Sequence, residues 1–161
     1  MTQSRNSFLG YAFALASLVA GASSLGSSAV AGECPAGAMK PNAREPVTFA
    51  PVGVTDTTLG SIDLGKEMVD VKDHELRFRK LTVAPGGIVP WHSHDDRPAL
   101  IYVAEGEIME YASNCAQPIV HKTGDIRPET RGTSHWWKNL SDKTVVLYVG
   151  DVLHDKSDHN M

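Results

Sequence analysis

The feature that most constrains this chain is a rhythm of two. From about residue 74 onward, apolar residues recur at alternate positions in short runs, and turn residues cut each run off. Residues 74–79 (HELRFR) alternate charged with apolar, and residues 99–104, 107–111, 118–121, 136–139 and 144–153 supply further short runs. Pro85-Gly86-Gly87, Glu105-Gly106, residues 122–125 and Arg131-Gly132-Thr133 separate them. Side chains repeat every two residues on a strand and every 3.6 on a helix. Many short strands at near-regular spacing predict an all-β sandwich or barrel. Residues 81–83 run one step out of phase with residues 74–79, which predicts a bulge near Lys80. Pro85-Gly86-Gly87 predicts the end of that strand.

A length of 161 residues suits one domain. The net charge is -4 and no Lys/Arg-rich block occurs, so the basic footprint of a nucleic-acid binder is missing. Residues 1–31 read as a secretory signal: Arg5, then an uncharged apolar run over residues 8–20, then small residues ending in Ala29-Val30-Ala31. Cleavage there predicts a periplasmic or secreted protein with no stable membrane insertion; the alternative is an uncleaved anchor. In an oxidising compartment Cys34 and Cys115 are expected to pair, the alternative being two free thiols. Residues 32–60 hold four of the nine prolines and read as an extended arm, leaving residues 61–161 as the barrel domain.

Seven histidines are present, and three stand out by placement. His92 and His94 form an H-x-H pair, whose rings share one face of a strand, and His135 follows its own turn and can arrive from a facing strand. Neutral imidazole is the commonest transition-metal ligand. The spacing around these residues resembles the cupin superfamily. Gly86, His92, His94 and Gly106 fit its first motif, and Gly124, Gly132, His135 and Asn139 fit its second. The resemblance spans roughly residues 75–152. It implies a single-domain double-stranded β-helix, or jelly-roll, barrel.

Two positions depart from the pattern. Thr130 stands at the second motif's proline, and the first motif's glutamate falls on Ala99 or Pro98. The resemblance therefore implies a metal held by His92, His94 and His135 alone, iron foremost, with zinc, manganese, copper or nickel as alternatives. Asp96 shares the parity of His92 and His94 and is a candidate oxygen ligand. Trp137, by alternation with His135, and Tyr102 are pocket candidates for a small-molecule ligand, with ordinary core as the alternative for both. Trp91 and Trp136 have the opposite parity and are expected outside. Arg97, Arg127 and Arg131 are expected as solvated charges that can meet an anion at the mouth. His74 and His121 are expected on exposed faces, and His154 and His159 in a polar tail without function. The reading this supports is a metal-dependent oxygenase, with non-catalytic capture of a metal or small ligand as the alternative and a metal-free barrel as a third. Residues 43–54 are a candidate dimerisation strand by analogy with small cupins.

Overall fold

The computed structural model describes residues 32–154; the expected signal segment and His159 lie outside them. Eight antiparallel strands follow in order: β1 (Val52–Asp63), β2 (Glu75–Ser93), β3 (Ala99–Glu105), β4 (Glu107–Ala112), β5 (Ile119–Lys122), β6 (Ile126–Glu129), β7 (Ser134–Lys138) and β8 (Val145–Leu153). They form one curled sheet in the order β5-β4-β7-β2-β8-β3-β6, with β1 added on β2. The fold is an all-β jelly-roll barrel, and β1 runs across the arm boundary drawn at residue 60.

Strand β2 organises the barrel. Residues 75–83 pair with β8, and residues 88–93 pair with β7. Pro85-Gly86-Gly87 does not end the strand; it is the corner where one chain passes between the two halves. Gly87 makes the corner possible, because a Cβ there would lie 2.7 Å from Val83 Cγ1 and 2.8 Å from the Ala84 carbonyl oxygen. Asn139 ties the corner down. Its side-chain amide donates to the carbonyls of Val83 at 2.9 Å and Lys143 at 2.7 Å, so this motif residue acts on the backbone. β3 and β4 do not pair with each other, so no hairpin joins them; Gly106, with φ of +88°, turns the chain from one to the other in a conformation that favours glycine.

No bulge occurs at Lys80: residues 79–81 pair with β8 in unbroken register. The phase change has another cause. Arg77 and Arg79 turn inward while Leu76 and Phe78 are left exposed. Arg77 grips Asp151 with two bonds, Nε to Oδ1 at 3.0 Å and an Nη to Oδ2 at 2.7 Å, and Arg79 reaches the same carboxylate at 3.2 Å. Beyond these charges the interior turns apolar, with Leu81, Val83, Val89, Ile101, Val103, Ile108, Trp137, Val145, Leu147 and Val149 in one cluster. Complete burial of such a side chain contributes roughly 1.5–3 kcal/mol.

The N-terminal segment is strapped to the β4–β5 end. Cys34 and Cys115 form a disulfide across 81 residues. Ala38, Ala112, Cys115 and Ile119 make a second small core there. The Arg44 guanidinium donates to the carbonyls of Cys115 and Ala116, each at 3.1 Å.

Candidate metal centre

The three histidines converge because of strand register. His92 on β2 lies directly opposite His135 on β7, and the pairing continues through a bond from the His94 amide to the Thr133 carbonyl at 2.9 Å. Alternation along β2 puts His94 on the same inward face as His92. All three rings are buried. His135 Nε2 lies 3.0 Å from His94 Nε2 and 3.1 Å from His92 Nε2.

The opposite nitrogens fix the tautomers. His92 Nδ1 faces the Pro90 carbonyl at 2.9 Å, His94 Nδ1 the Arg97 carbonyl at 2.7 Å, and His135 Nδ1 a Glu110 carboxylate oxygen at 2.8 Å. Each partner only accepts, so each Nδ1 carries the proton and donates it. Three Nε2 lone pairs then face one another, an arrangement that is repulsive without a positive charge among them. One proton on His135 Nε2 satisfies two contacts; a divalent ion satisfies all three nitrogens. The spacing also suits an ion. Nitrogens about 2.1 Å from a metal lie about 3.0 Å apart at right angles and about 3.4 Å apart in a tetrahedron. The observed 3.0 and 3.1 Å from His135 to the other two rings match the right-angled spacing.

Electrostatics separate the three rings. Burial holds His92 well below the usual imidazole range, and the His135 charge adds to this. Burial, with His135, lowers His94 to about 4. Burial also opposes charge on His135, but Glu129 and Glu110 overcome it and push the ring up to about 9. Glu110 itself stays ionised, since bonds from His121 and His135 outweigh the cost of burial.

These carboxylates answer the missing motif glutamate. Ala99, one of the two candidates for that position, has Glu129 as its partner across the β3–β6 ladder. Glu129 is fully buried, and its Oε1 lies 3.3 Å from His135 Nδ1, behind the ring. Glu110 accepts from His121 Nε2 at 2.7 Å, and Arg127 Nε lies 3.4 Å from Glu110 and 3.0 Å from Glu129. Negative charge is thus present behind the ring of His135. Sequence reasoning missed both glutamates. The alternation of Glu110 with buried Ile108 and Ala112 carried the only signal that Glu110 points inward.

The remaining candidates divide. Trp137 lies inside, its indole nitrogen 3.2 Å from His135 Nδ1 and its ring stacked on His121 at 4.5 Å. It lines a small cavity of about 20 Å³, room for about one water molecule, together with Arg79, His92, His94 and apolar walls that include Leu81, Val89 and Ile101. Tyr102 does not belong to it: the side chain is 42% exposed, because Ala99, Ile101 and Val103 take the inward positions of β3. Asp96 is exposed in the bend after β2, where strand parity no longer holds. His121 is buried on Glu110, not exposed, and Arg97 is buried rather than solvated. Arg127 is engaged by the two glutamates, whereas Arg131 is exposed. Trp136 faces away from the pocket and stacks on Tyr111 at 4.1 Å. His74 stacks on His154 at 4.6 Å, remote from the three-histidine cluster in sequence and strand position.

The cupin domain family profile matches residues 79–150. No curated protein matches the chain. Among solved structures, an uncharacterized conserved protein with a double-stranded β-helix domain from Klebsiella pneumoniae aligns with a TM-score of 0.50 and 18% identity, over 70% of this chain and 84% of that one. The protein KdgF from a Halomonas species aligns with a TM-score of 0.49 and 14% identity, over 66% and 83%. The cupin domain of Schizosaccharomyces pombe Cnp3 gives 0.49 and 16%, over 67% of this chain and just under two thirds, 66%, of that one. At these identities the likeness is one of fold.

Proposed function

We propose, for a chain that belongs to the cupin superfamily, that the three-histidine cluster holds one divalent transition metal, iron foremost, and that the protein is a dioxygenase of a small organic molecule in the periplasm or outside the cell. The observation that carries the reading is the convergence of three buried Nε2 atoms, with each ring's Nδ1 facing a carbonyl or carboxylate oxygen. A ferrous ion bound there would supply Lewis acidity and one-electron chemistry toward dioxygen. The chain's own residues do the rest. Pro90, Arg97 and Glu110 orient the rings, and the apolar walls exclude water from the cavity. The disulfide supports export, and among the described residues no helix is long and apolar enough to cross a membrane.

The same disulfide favours a second reading, capture of a metal or small ligand without turnover, because an oxidising compartment opposes a ferrous state. Oxygen uptake by iron-loaded protein across phenolic, thiol and diketone compounds separates the two. The first reading expects uptake with one class that disappears in His135→Ala. A flat response from protein that keeps its iron and binds a compound tightly overturns it in favour of capture.

A further inference from the structure

The barrel covers one of its outer faces with its own chain. Over β4 and β7, Phe49 packs on Trp136 with ring centroids 4.8 Å apart, and Trp136 stacks on Tyr111 at 4.1 Å. The Arg44 guanidinium lies 5.2 Å over the Tyr111 ring. The arm at residues 43–54 is thus engaged on its own barrel. Over β2, β8, β3 and β6 none of the described residues plays that part, and strand register sets apolar side chains in rows there. Phe78, Gly150, Leu100 and Pro128 lie side by side in one row. Tyr148, Tyr102 and Ile126 form the next, with Lys80 at its end as the one charged side chain in the two rows. Leu76 and its β1 partner Ile62 extend the face. Phe78, Leu100, Tyr102 and Ile126 are 42–61% exposed. These rows leave roughly 700–800 Å² of mostly apolar surface bare, more than the about 300–600 Å² of the largest patch on a typical monomer. Gly150, without a side chain, leaves a hollow of about 440 Å³ between Phe78, Leu100 and Tyr148.

We propose that this face pairs two copies of the chain about a two-fold axis. A two-fold interface uses one patch on both subunits, so the patch must fit itself. This one carries both halves of such a fit, a hollow at Gly150 and exposed apolar side chains at Leu100 and Ile126 beside it. Its area matches the about 800 Å² that each partner contributes to a standard stable interface. A lipid surface suits it less. Faces that dock on membranes are rich in Lys and Arg, whereas these rows hold Lys80 alone on a chain of net charge -4. Leu100 and Tyr102 alternate along β3 with the inward Ala99, Ile101 and Val103, so the interface lies on the far side of the strand from the barrel interior and does not depend on the metal reading.

Sedimentation equilibrium over roughly 1–100 µM protein tests the proposal, and a dimer is expected with a Kd in or below that range. Leu100→Glu and Ile126→Glu change exposed side chains, so each protomer keeps its fold by circular dichroism. The two-fold axis places each new charge in the interface twice, and each variant is expected to weaken the dimer at least about 100-fold. Leu140→Glu is the control: Leu140 is 60% exposed but lies beyond β7, off this face, and its replacement is expected to leave the dimer intact. A monomer throughout the range overturns the inference, whatever the variants do. If that monomer also floats with phosphatidylcholine–phosphatidylglycerol vesicles, the face belongs to a lipid surface instead. A dimer that survives both Leu100→Glu and Ile126→Glu, or one that Leu140→Glu dissociates equally well, overturns it too and places the contact elsewhere.

Discussion

Metal binding at this site should be coupled to the release of one proton. Without an ion, His92 sits well below the usual imidazole range and His94 titrates at about 4, so both offer lone pairs at neutral pH. His135 is different: Glu129 and Glu110 push it up to about 9 against the cost of burial, so it holds a proton that the ion must displace. The sign follows. Apparent affinity falls as pH drops, by about tenfold per unit below pH 9, and levels off above it. Affinity at pH 7 is therefore about 100-fold below the plateau. Glu110→Gln removes one of the charges that raise His135, so its plateau begins at lower pH. The variant also loses an oriented acceptor, which lowers the plateau roughly 10- to 100-fold. Competition between the protein and a zinc chelator across this pH range measures the slope. Calorimetry in buffers of different ionisation enthalpy counts the proton. A pH-independent affinity, or a midpoint that Glu110→Gln leaves in place, refutes the reasoning.

Three further outcomes are expected. Replacing Cys34 and Cys115 by serine removes a cross-link over 81 residues and should cost up to about 4 kcal/mol in the chain-entropy model, lowering Tm on the order of 10 °C by thermal melting. Asp151→Ala strips the half-buried Arg77 and the buried Arg79 of a shared carboxylate and should cost about 3–5 kcal/mol in urea denaturation, far beyond an exposed ion pair. Asn139→Ala leaves the corner carbonyls of Val83 and Ala84 without their donor and should cost about 1–3 kcal/mol by the same assay, with metal affinity unchanged.

The strand rhythm and the two histidine motifs were legible because both depend on local period: His92 and His94 sit two apart, and His135 enters on its own strand. What misled was carrying parity through irregular backbone. Tyr102 shares the parity of His92 and His94, but that parity does not survive the bend after β2: Pro98 is exposed and Ala99 restarts the inward face. The supposed bulge at Lys80 assumed that apolar residues point inward. Arg77 and Arg79 reverse that rule because Asp151 and Asp56, distant in sequence, neutralise them inside. The same limit hid His121 and Glu110. Each reads alone as a surface polar residue, and only the β4–β5 ladder brings them to within 2.7 Å of each other.

The most direct test is a count of metal ions per chain, by inductively coupled plasma mass spectrometry, on folded protein loaded with iron, zinc or manganese and then desalted. The account predicts about one ion per chain for at least one of these metals, lost in His92→Ala/His94→Ala and in His135→Ala while the barrel stays folded. Folded protein that keeps none of these metals, or variants that keep the ion as well as the unaltered chain does, would contradict it.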